Sequence, residues 1–186
     1  MIEYHGHNLF LKHARPNQKI LELGNQEMNL AEAQNISAKE YYSSMGFIHT
    51  SVDQNGKDGA LQLDLSKPQE LDEHDFVTDF GTTEHVENLY QCLKNVFNGC
   101  KVGGLMLHKN PKTGNFKGHG YHYFTTDFWK EYAYLCKLEV LEIYEHPIYH
   151  NTIDGWECIA LLRKIEESKF PTKKQFETVK HLVHGE

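Results

Sequence analysis

Three carboxylates and a group of histidines stand where apolar runs of this chain give way to turns, and their order suits a ligand that carries a nucleoside. In Glu22-Leu23-Gly24-Asn25-Gln26 a glycine lets the backbone turn tightly and approach a ligand that a side chain would exclude, with a carboxylate beside it to receive an ammonium. Asp53, followed by Gln54, can accept both hydroxyls of a ribose, although the same aspartate also suits a turn ahead of Asn55-Gly56. Asp64 and Leu65 suit the amine and the ring face of an adenine, while Leu65 is equally at home in an ordinary core.

The run Asp79-Phe80-Gly81-Thr82-Thr83-Glu84-His85 places a glycine and several polar groups between an apolar strand and a long amphipathic segment. Thr82 or Thr83 can cap the helix that follows, and a helix N-terminus lowers the pKa of a neighbouring imidazole. His85 is then the first candidate for a general base, with His119 and Glu84 behind it. The plainer reading leaves Glu84 and His85 on an exposed first turn. His108, His119 and His122, interleaved with Tyr121, Tyr123 and Phe124, form a further group. A close histidine pair in a loop with no acidic residue between is a weak metal signal, so His108, His119, Tyr121 and His122 are read as substrate contacts and no metal is assigned. His5, His7 and His13 are read as surface residues.

These side chains need a scaffold that gathers strand ends. Apolar runs of strand length alternate with helix-period segments, the pattern of a mostly parallel sheet covered on both faces. The pattern predicts strands over residues 20–23, 47–52, 60–65, 76–80 and 105–108, and a short helix over 38–45. A longer helix over 86–100 carries Val86, Leu89, Leu93, Val96 and Phe97 on one face, and Gly103-Gly104 breaks it. A Gly- and His-rich loop over 110–124 leads to a helix over 125–137. Residues 138–144 and 156–162 then read as two strands joined by a loop with Pro147, Asp154 and Gly155; with no helix between them they pair antiparallel. In an open sheet of this kind ligands sit beyond the carboxyl ends of the strands, where the acids and the 79–85 turn fall.

With 186 residues and 39% hydrophobic content, the chain reads as a single domain over 1–165 with a polar helix or tail from 166 to 186. The formal charge of -7 gives no positive field for phosphates, so nucleic acid and an anionic membrane are set aside as partners in favour of a small molecule. The oligomeric state is left open. Cys92, Cys100, Cys136 and Cys158 never form a C-x-x-C pair and read as buried free thiols. Neither a signal peptide nor a membrane-spanning apolar stretch is visible, and the chain is read as cytoplasmic.

Over residues 19 to 162 the chain resembles small bacterial and phage class I S-adenosylmethionine-dependent methyltransferases. The resemblance rests on Lys19-Ile20-Leu21-Glu22-Leu23-Gly24-Asn25-Gln26, Ala38-Lys39-Glu40-Tyr41-Tyr42, Asp53-Gln54-Asn55-Gly56 and Ala60-Leu61-Gln62-Leu63-Asp64-Leu65. It rests further on Gly103-Gly104-Leu105-Met106-Leu107-His108, the His119-Gly120-Tyr121 turn and, most specifically, Phe80-Gly81-Thr82-Thr83-Glu84-His85-Val86. It implies an α/β fold, a Rossmann-like three-layer sandwich whose mostly parallel seven-stranded sheet has a reversed final strand. It also implies S-adenosyl-L-methionine as cofactor, held by Glu22, Gly24, Asn25, Gln26, Asp53, Gln54, Asp64, Leu65, Asp79, Phe80 and Gly81. The implied reaction is methyl transfer to an oxygen or nitrogen of a small-molecule or sugar-type acceptor. Of a G-x-G-x-G pattern Gly24 is present, with Gln26 and Met28 at the other two places. The competing readings are a non-catalytic S-adenosylmethionine-binding protein, a nicotinamide-dependent oxidoreductase and a histidine-based metal-dependent hydrolase.

Overall fold

The run Ile20-Leu21-Glu22-Leu23 has no exposed side chain, as expected of a central strand covered on both faces. The computed structural model describes residues 1–150, 153–179 and 183–184. Its first half contains α1 (Tyr4–His13), β1 (Lys19–Leu23), β2 (Glu27–Leu30), β3 (Ala33–Ser37), α2 (Ala38–Ser44), β4 (Ile48–Asp53), β5 (Leu61–Gln62) and β6 (His74–Phe80). The second half contains α3 (Leu89–Gly99), β7 (Cys100–Pro111), β8 (His122–Tyr123), α4 (Thr126–Cys136), β9 (Leu138–His150), β10 (Ile153–Lys164), α5 (Lys173–Phe176) and β11 (Val183–His184).

Seven strands form the main sheet in the order β5-β4-β1-β6-β7-β10-β9. The pairs from β5 to β7 are parallel, whereas β10 runs antiparallel to both β7 and β9. The sheet is therefore mostly parallel with its final strand reversed. Side chains alternate across it: Ile20 joins Phe10 of α1, Tyr42 of α2 and Phe76 on one face, and Leu21 and Leu23 join Leu93, Phe97, Phe128 and Trp129 of α3 and α4 on the other. Strand order reverses at β1, so the carboxyl ends of β1, β4 and β6 frame a crevice.

Several boundaries differ from the sequence reading, each for a local reason. Helix α3 begins at Leu89, because Asn88 caps it by accepting from the Gln91 N–H at 3.2 Å, and Thr83–His85 form a separate 3-10 turn. Gly103 and Gly104 lie inside β7, after the helix has already ended at Gly99. The strand read over 60–65 shrinks to β5, because Asp64 leaves the ladder to accept from the Ser66 N–H at 3.0 Å and its hydroxyl at 2.6 Å. Pro147 and Gly155 lie within β9 and β10 instead of a loop, and the bare Gly155 backbone accommodates the Phe116 ring.

Helix α1 and the β2–β3 hairpin have no counterpart in the sequence reading. The α1 histidines are not simple surface residues. His7 is buried with Nδ1 3.2 Å from Tyr42 Oη, His5 stacks on His146 at 3.5 Å, and His13 lies 3.2 Å from Glu142. The segment after β10 contributes Phe170 and Phe176 to the α3–α4 cluster, and Thr172 and Gln175 form a capping box on α5. Residues 180–182 and 185–186 of the expected tail lie outside the described residues. All four cysteines are buried free thiols. Among the described residues, no helix is long and apolar enough to cross a membrane.

Candidate active site

The turns after β1, β4 and β6 enclose a cavity of about 310 Å³, within the size range of small-ligand sites. Its walls are Gly24, Gln26, Val52, Asp53, Gln54, Leu63, Leu65, Gly81, Thr82, His85 and Val86. Gly24 has φ +78, and a Cβ there would stand 2.5 Å from Thr82 Oγ1 and 2.7 Å from the Gln26 side-chain nitrogen. The Thr82 hydroxyl donates to the Leu23 carbonyl at 2.8 Å and ties the two turns together. Asp53 accepts from the Asn25 and Asn55 N–H groups, both at 2.8 Å. It thus shapes its turn and also faces the cavity, and each carboxylate oxygen keeps a lone pair for a ligand.

A second cavity of about 340 Å³ shares Gly81 and His85 with the first. Its other walls include Phe80, Glu84, Lys109, Pro111, Phe116, His119 and Glu157, with Lys109 and Glu157 paired. Glu84 is 1% exposed, and its Oε2 accepts from Asn110 Nδ2 at 3.1 Å. Burial and the neighbouring Asp79 charge push its carboxyl up to about 8. The Nε2 atoms of His85 and His119 lie 3.9 and 3.8 Å from Glu84 Oε1, and the two rings meet edge to face at 4.7 Å. The Tyr121 N–H donates to the Glu84 carbonyl at 2.7 Å and holds the loop over the 83–85 turn.

The chain matches no family model and no curated protein by sequence. In three dimensions it is similar to the 1,6-didemethyltoxoflavin-N1-methyltransferase of Burkholderia thailandensis, solved with 1,6-didemethyltoxoflavin and S-adenosylhomocysteine. The TM-score is 0.66 at 12% identity over 86% of this chain and 76% of that one. Coclaurine N-methyltransferase, bound to N-methylheliamine and S-adenosylhomocysteine, gives 0.63 at 10% identity over 84% and 71%. The O-methyltransferase of the Brevibacillus brevis trans-AT PKS multienzyme, also with S-adenosylhomocysteine, gives 0.57 at 13% identity over 92% and 74%. The fold is that of the S-adenosylmethionine-dependent methyltransferases.

Within this methyltransferase fold, Gly24, Gln26, Asp53, Gln54, Leu65 and Gly81 line the first cavity, and Phe80, Gly81, Glu84 and His119 line the second, with His85 on both. Asn25 contributes its backbone N–H to Asp53 and turns its side chain to Asp58 at 2.6 Å. Asp64 sits in its own turn, 3.1 Å from Lys67, and Leu63 takes the wall position beside Leu65. Asp79 lies fully buried beneath the crevice. Of the histidine group, His119 alone reaches these cavities. His108 is fully buried, 2.9 Å from Asp79 and stacked on Trp129 at 4.3 Å, and His122 points Nε2 at the Val86 and Glu87 carbonyls at 3.0 and 3.1 Å. Tyr121 is exposed and lines neither cavity. His85 does not lie in the first turn of α3 as expected, because that helix starts at Leu89. Burial and then His119 lower its imidazole instead. Val52, Leu63, Thr82 and Val86 in the first cavity, and Lys109, Phe116 and Glu157 in the second, are walls that the sequence reading did not assign as ligand contacts. The alternation of Leu63 with Leu65 was a usable signal for the first set, whereas in the second Lys109 and Glu157 meet across the β7–β10 pairing and Phe116 comes from the loop after β7.

Glu22 faces away from the first cavity because it shares the parity of Ile20, on the side of α1 and α2. Its Oε2 accepts one long bond from the Gln26 N–H at 3.4 Å, and its Oε1 has no hydrogen-bond partner among the described residues. Burial pushes its carboxyl well above the usual carboxylate range. An acid raised in this way favours folding at low pH and loses that contribution as pH climbs through its folded value, so stability should fall between about pH 5 and about pH 8 more in the parent than in Glu22→Gln. Melting temperatures across that range check this, and parallel profiles would refute it.

Proposed function

We propose that the chain transfers a methyl group from S-adenosyl-L-methionine to an oxygen or nitrogen of a small-molecule acceptor. The observation that carries this reading is the junction of the two cavities at Gly81 and His85. The first suits the cofactor by its residues: Asp53 for the ribose hydroxyls, Val52, Leu63, Leu65 and Val86 for the adenine, and the bare Gly24 turn with Gln26 and Thr82 for the amino-acid end. When bound, the cofactor supplies an electrophilic methyl group on a sulfonium sulfur. The chain then has to hold the acceptor in the second cavity, aligned and shielded from water, and such alignment saves about 7–11 kcal/mol. Phe116 and the Lys109–Glu157 pair form the walls, and removal of an acceptor proton falls to the Glu84, His85 and His119 group. The named neighbours, an N1-, an N- and an O-methyltransferase, support a nitrogen or oxygen acceptor, and the two solved with 1,6-didemethyltoxoflavin and N-methylheliamine support a small one.

Thermal-shift measurements with S-adenosylmethionine, S-adenosylhomocysteine and NAD test this directly, since a ligand that binds only the folded chain raises its melting temperature. Both S-adenosyl ligands should do so, and a response to NAD alone would remove the reading. Binding without transfer to a broad acceptor panel would favour the non-catalytic alternative. Asp53→Ala removes charge-assisted hydrogen bonds of about 1.5–3 kcal/mol and is expected to weaken S-adenosylhomocysteine by roughly 10- to 100-fold in calorimetric titration.

A further inference from the structure

We infer that Glu84, His85 and His119 bind one divalent transition-metal ion in the wall of the second cavity, where it grips an oxygen of the acceptor. The metal site stands on its own geometry, and its role toward an acceptor rests on the methyltransferase reading above. One ligand atom from each residue lies within 4.8 Å of the others. The separations of 3.9 and 3.8 Å from Glu84 Oε1 to the two Nε2 atoms are too long for hydrogen bonds. Ligand atoms around a tetrahedral ion with bonds of about 2.0–2.1 Å stand about 3.3–3.4 Å apart, so the carboxylate has to close on each ring by roughly half an ångström. The rings are about half exposed and can rotate to do so.

Two further observations point to a cation here. The Glu84 side chain is 2% exposed, yet among the described residues no lysine or arginine pairs with it, and its ion-pair neighbours are these two imidazoles. Ionising a carboxyl buried here without a cation is unfavourable, and a divalent ion supplies the charge against which it can ionise. The imidazoles are equally uncommitted: no ring nitrogen of His85 or His119 hydrogen-bonds to another described residue.

The surroundings hold the ligands as an outer shell does. Asn110 Nδ2 donates to Glu84 Oε2 at 3.1 Å, leaving Oε1 to the ion, and is itself held by Asp79 at 3.0 Å and Thr83 at 2.9 Å. Tyr123 Oη accepts from the His119 N–H at 2.8 Å, and Gly120 packs so close to the Glu84 carbonyl that a Cβ would stand 2.8 Å from its oxygen. The acid that the histidine loop lacks locally thus arrives from the turn after β6. One carboxylate and two imidazoles suit zinc, manganese, iron(II) or cobalt better than magnesium or calcium. Three protein ligands leave at least one position open toward Lys109 and Phe116. With these three side chains engaged as ligands, they promote removal of the acceptor proton through the ion: a hydroxyl coordinated there releases its proton to solvent more readily, because the ion stabilises the oxyanion that remains.

The test is titration of the chelator-treated chain with zinc, manganese and cobalt chlorides, followed by calorimetry and, for cobalt, by visible absorption. One ion per chain is expected, with affinity falling at least 10-fold in Glu84→Gln and in His119→Ala and unchanged in His13→Gln, whose side chain lies beside Glu142. His119→Ala alters an exposed loop residue outside the first cavity, so its metal-free affinity for S-adenosylhomocysteine should match the parent. Absence of saturable uptake of all three ions, or equal uptake by His119→Ala and parent, overturns the metal site while leaving S-adenosylhomocysteine binding to judge the methyltransferase reading. Uptake lost in His119→Ala, in a chain that binds no S-adenosyl ligand, upholds the site and overturns the methyltransferase reading.

Discussion

Asp79→Ala is expected to lower the melting temperature by about 6–20 °C and to abolish S-adenosylhomocysteine binding with it. The carboxylate is fully buried and accepts from the Thr82 and Thr83 N–H groups at 3.1 Å, the Thr83 hydroxyl at 2.7 Å, His108 Nδ1 at 2.9 Å and Asn110 Nδ2 at 3.0 Å. Removing it strands these donors in a site that water does not reach, and breaking a buried charged network of this kind costs about 3–5 kcal/mol. For a chain of this length each kcal/mol is worth about 2–4 °C, which gives the range above. Binding is lost because Thr82, a wall of the first cavity, is held in place by this carboxylate. Burial alone would raise the Asp79 carboxyl, but hydrogen bonds led by His108 and joined by Thr83 and Asn110 outweigh it and hold the group below the usual range. A depressed acid contributes stability above its unfolded value, about 3.9, and loses it as pH falls through the folded value. The gap between parent and Asp79→Asn should therefore narrow in strong acid. Calorimetric unfolding decides the point, and a loss below about 2 °C at neutral pH would sink it.

The crevice was legible because strand ends are marked locally. Apolar runs stop at Gly24, Asp53 and Gly81, and the missing helix between β9 and β10 announces the reversed strand before any contact is known. What a strand end does not announce is which way its side chains face. Glu22 has the parity of Ile20 and turns toward α1 and α2, and His108 has the parity of Met106 and turns into the core behind α4. Both were read as ligand contacts from position along the chain, when parity across the pleat decides the matter. Helix α1 escaped the sequence reading for a different reason. Its interior side carries His7 as well as Leu9 and Phe10, and a histidine counts as polar in any hydrophobic pattern even when a tyrosine hydroxyl receives it, as Tyr42 does here. The Glu84, His85 and His119 group is long-range: the loop after β7 must fold back on the turn after β6 before its third member arrives.

Gly24→Ala is expected to weaken S-adenosylhomocysteine at least 100-fold while the chain still folds. At φ +78 an alanine is strained by about 1–2 kcal/mol, which lowers the melting temperature by about 2–8 °C. The larger effect is on the cavity. The new Cβ would stand 2.5 Å from Thr82 Oγ1, and that hydroxyl is tied to the Leu23 carbonyl at 2.8 Å, so moving it aside breaks the link between the turns after β1 and β6. Gln26, 2.7 Å from the same point, is a flexible side chain that can swing away, and in swinging it fills the crevice. A double-mutant cycle separates these effects. Thr82→Ala alone should weaken binding, because it removes a cavity wall and the Leu23 tie; added to Gly24→Ala it should strengthen binding relative to Gly24→Ala alone, because the clashing oxygen is gone. Full affinity in Gly24→Ala would show that the ligand does not approach this turn. Additivity of the two changes would place the loss in backbone strain instead of contact with Thr82.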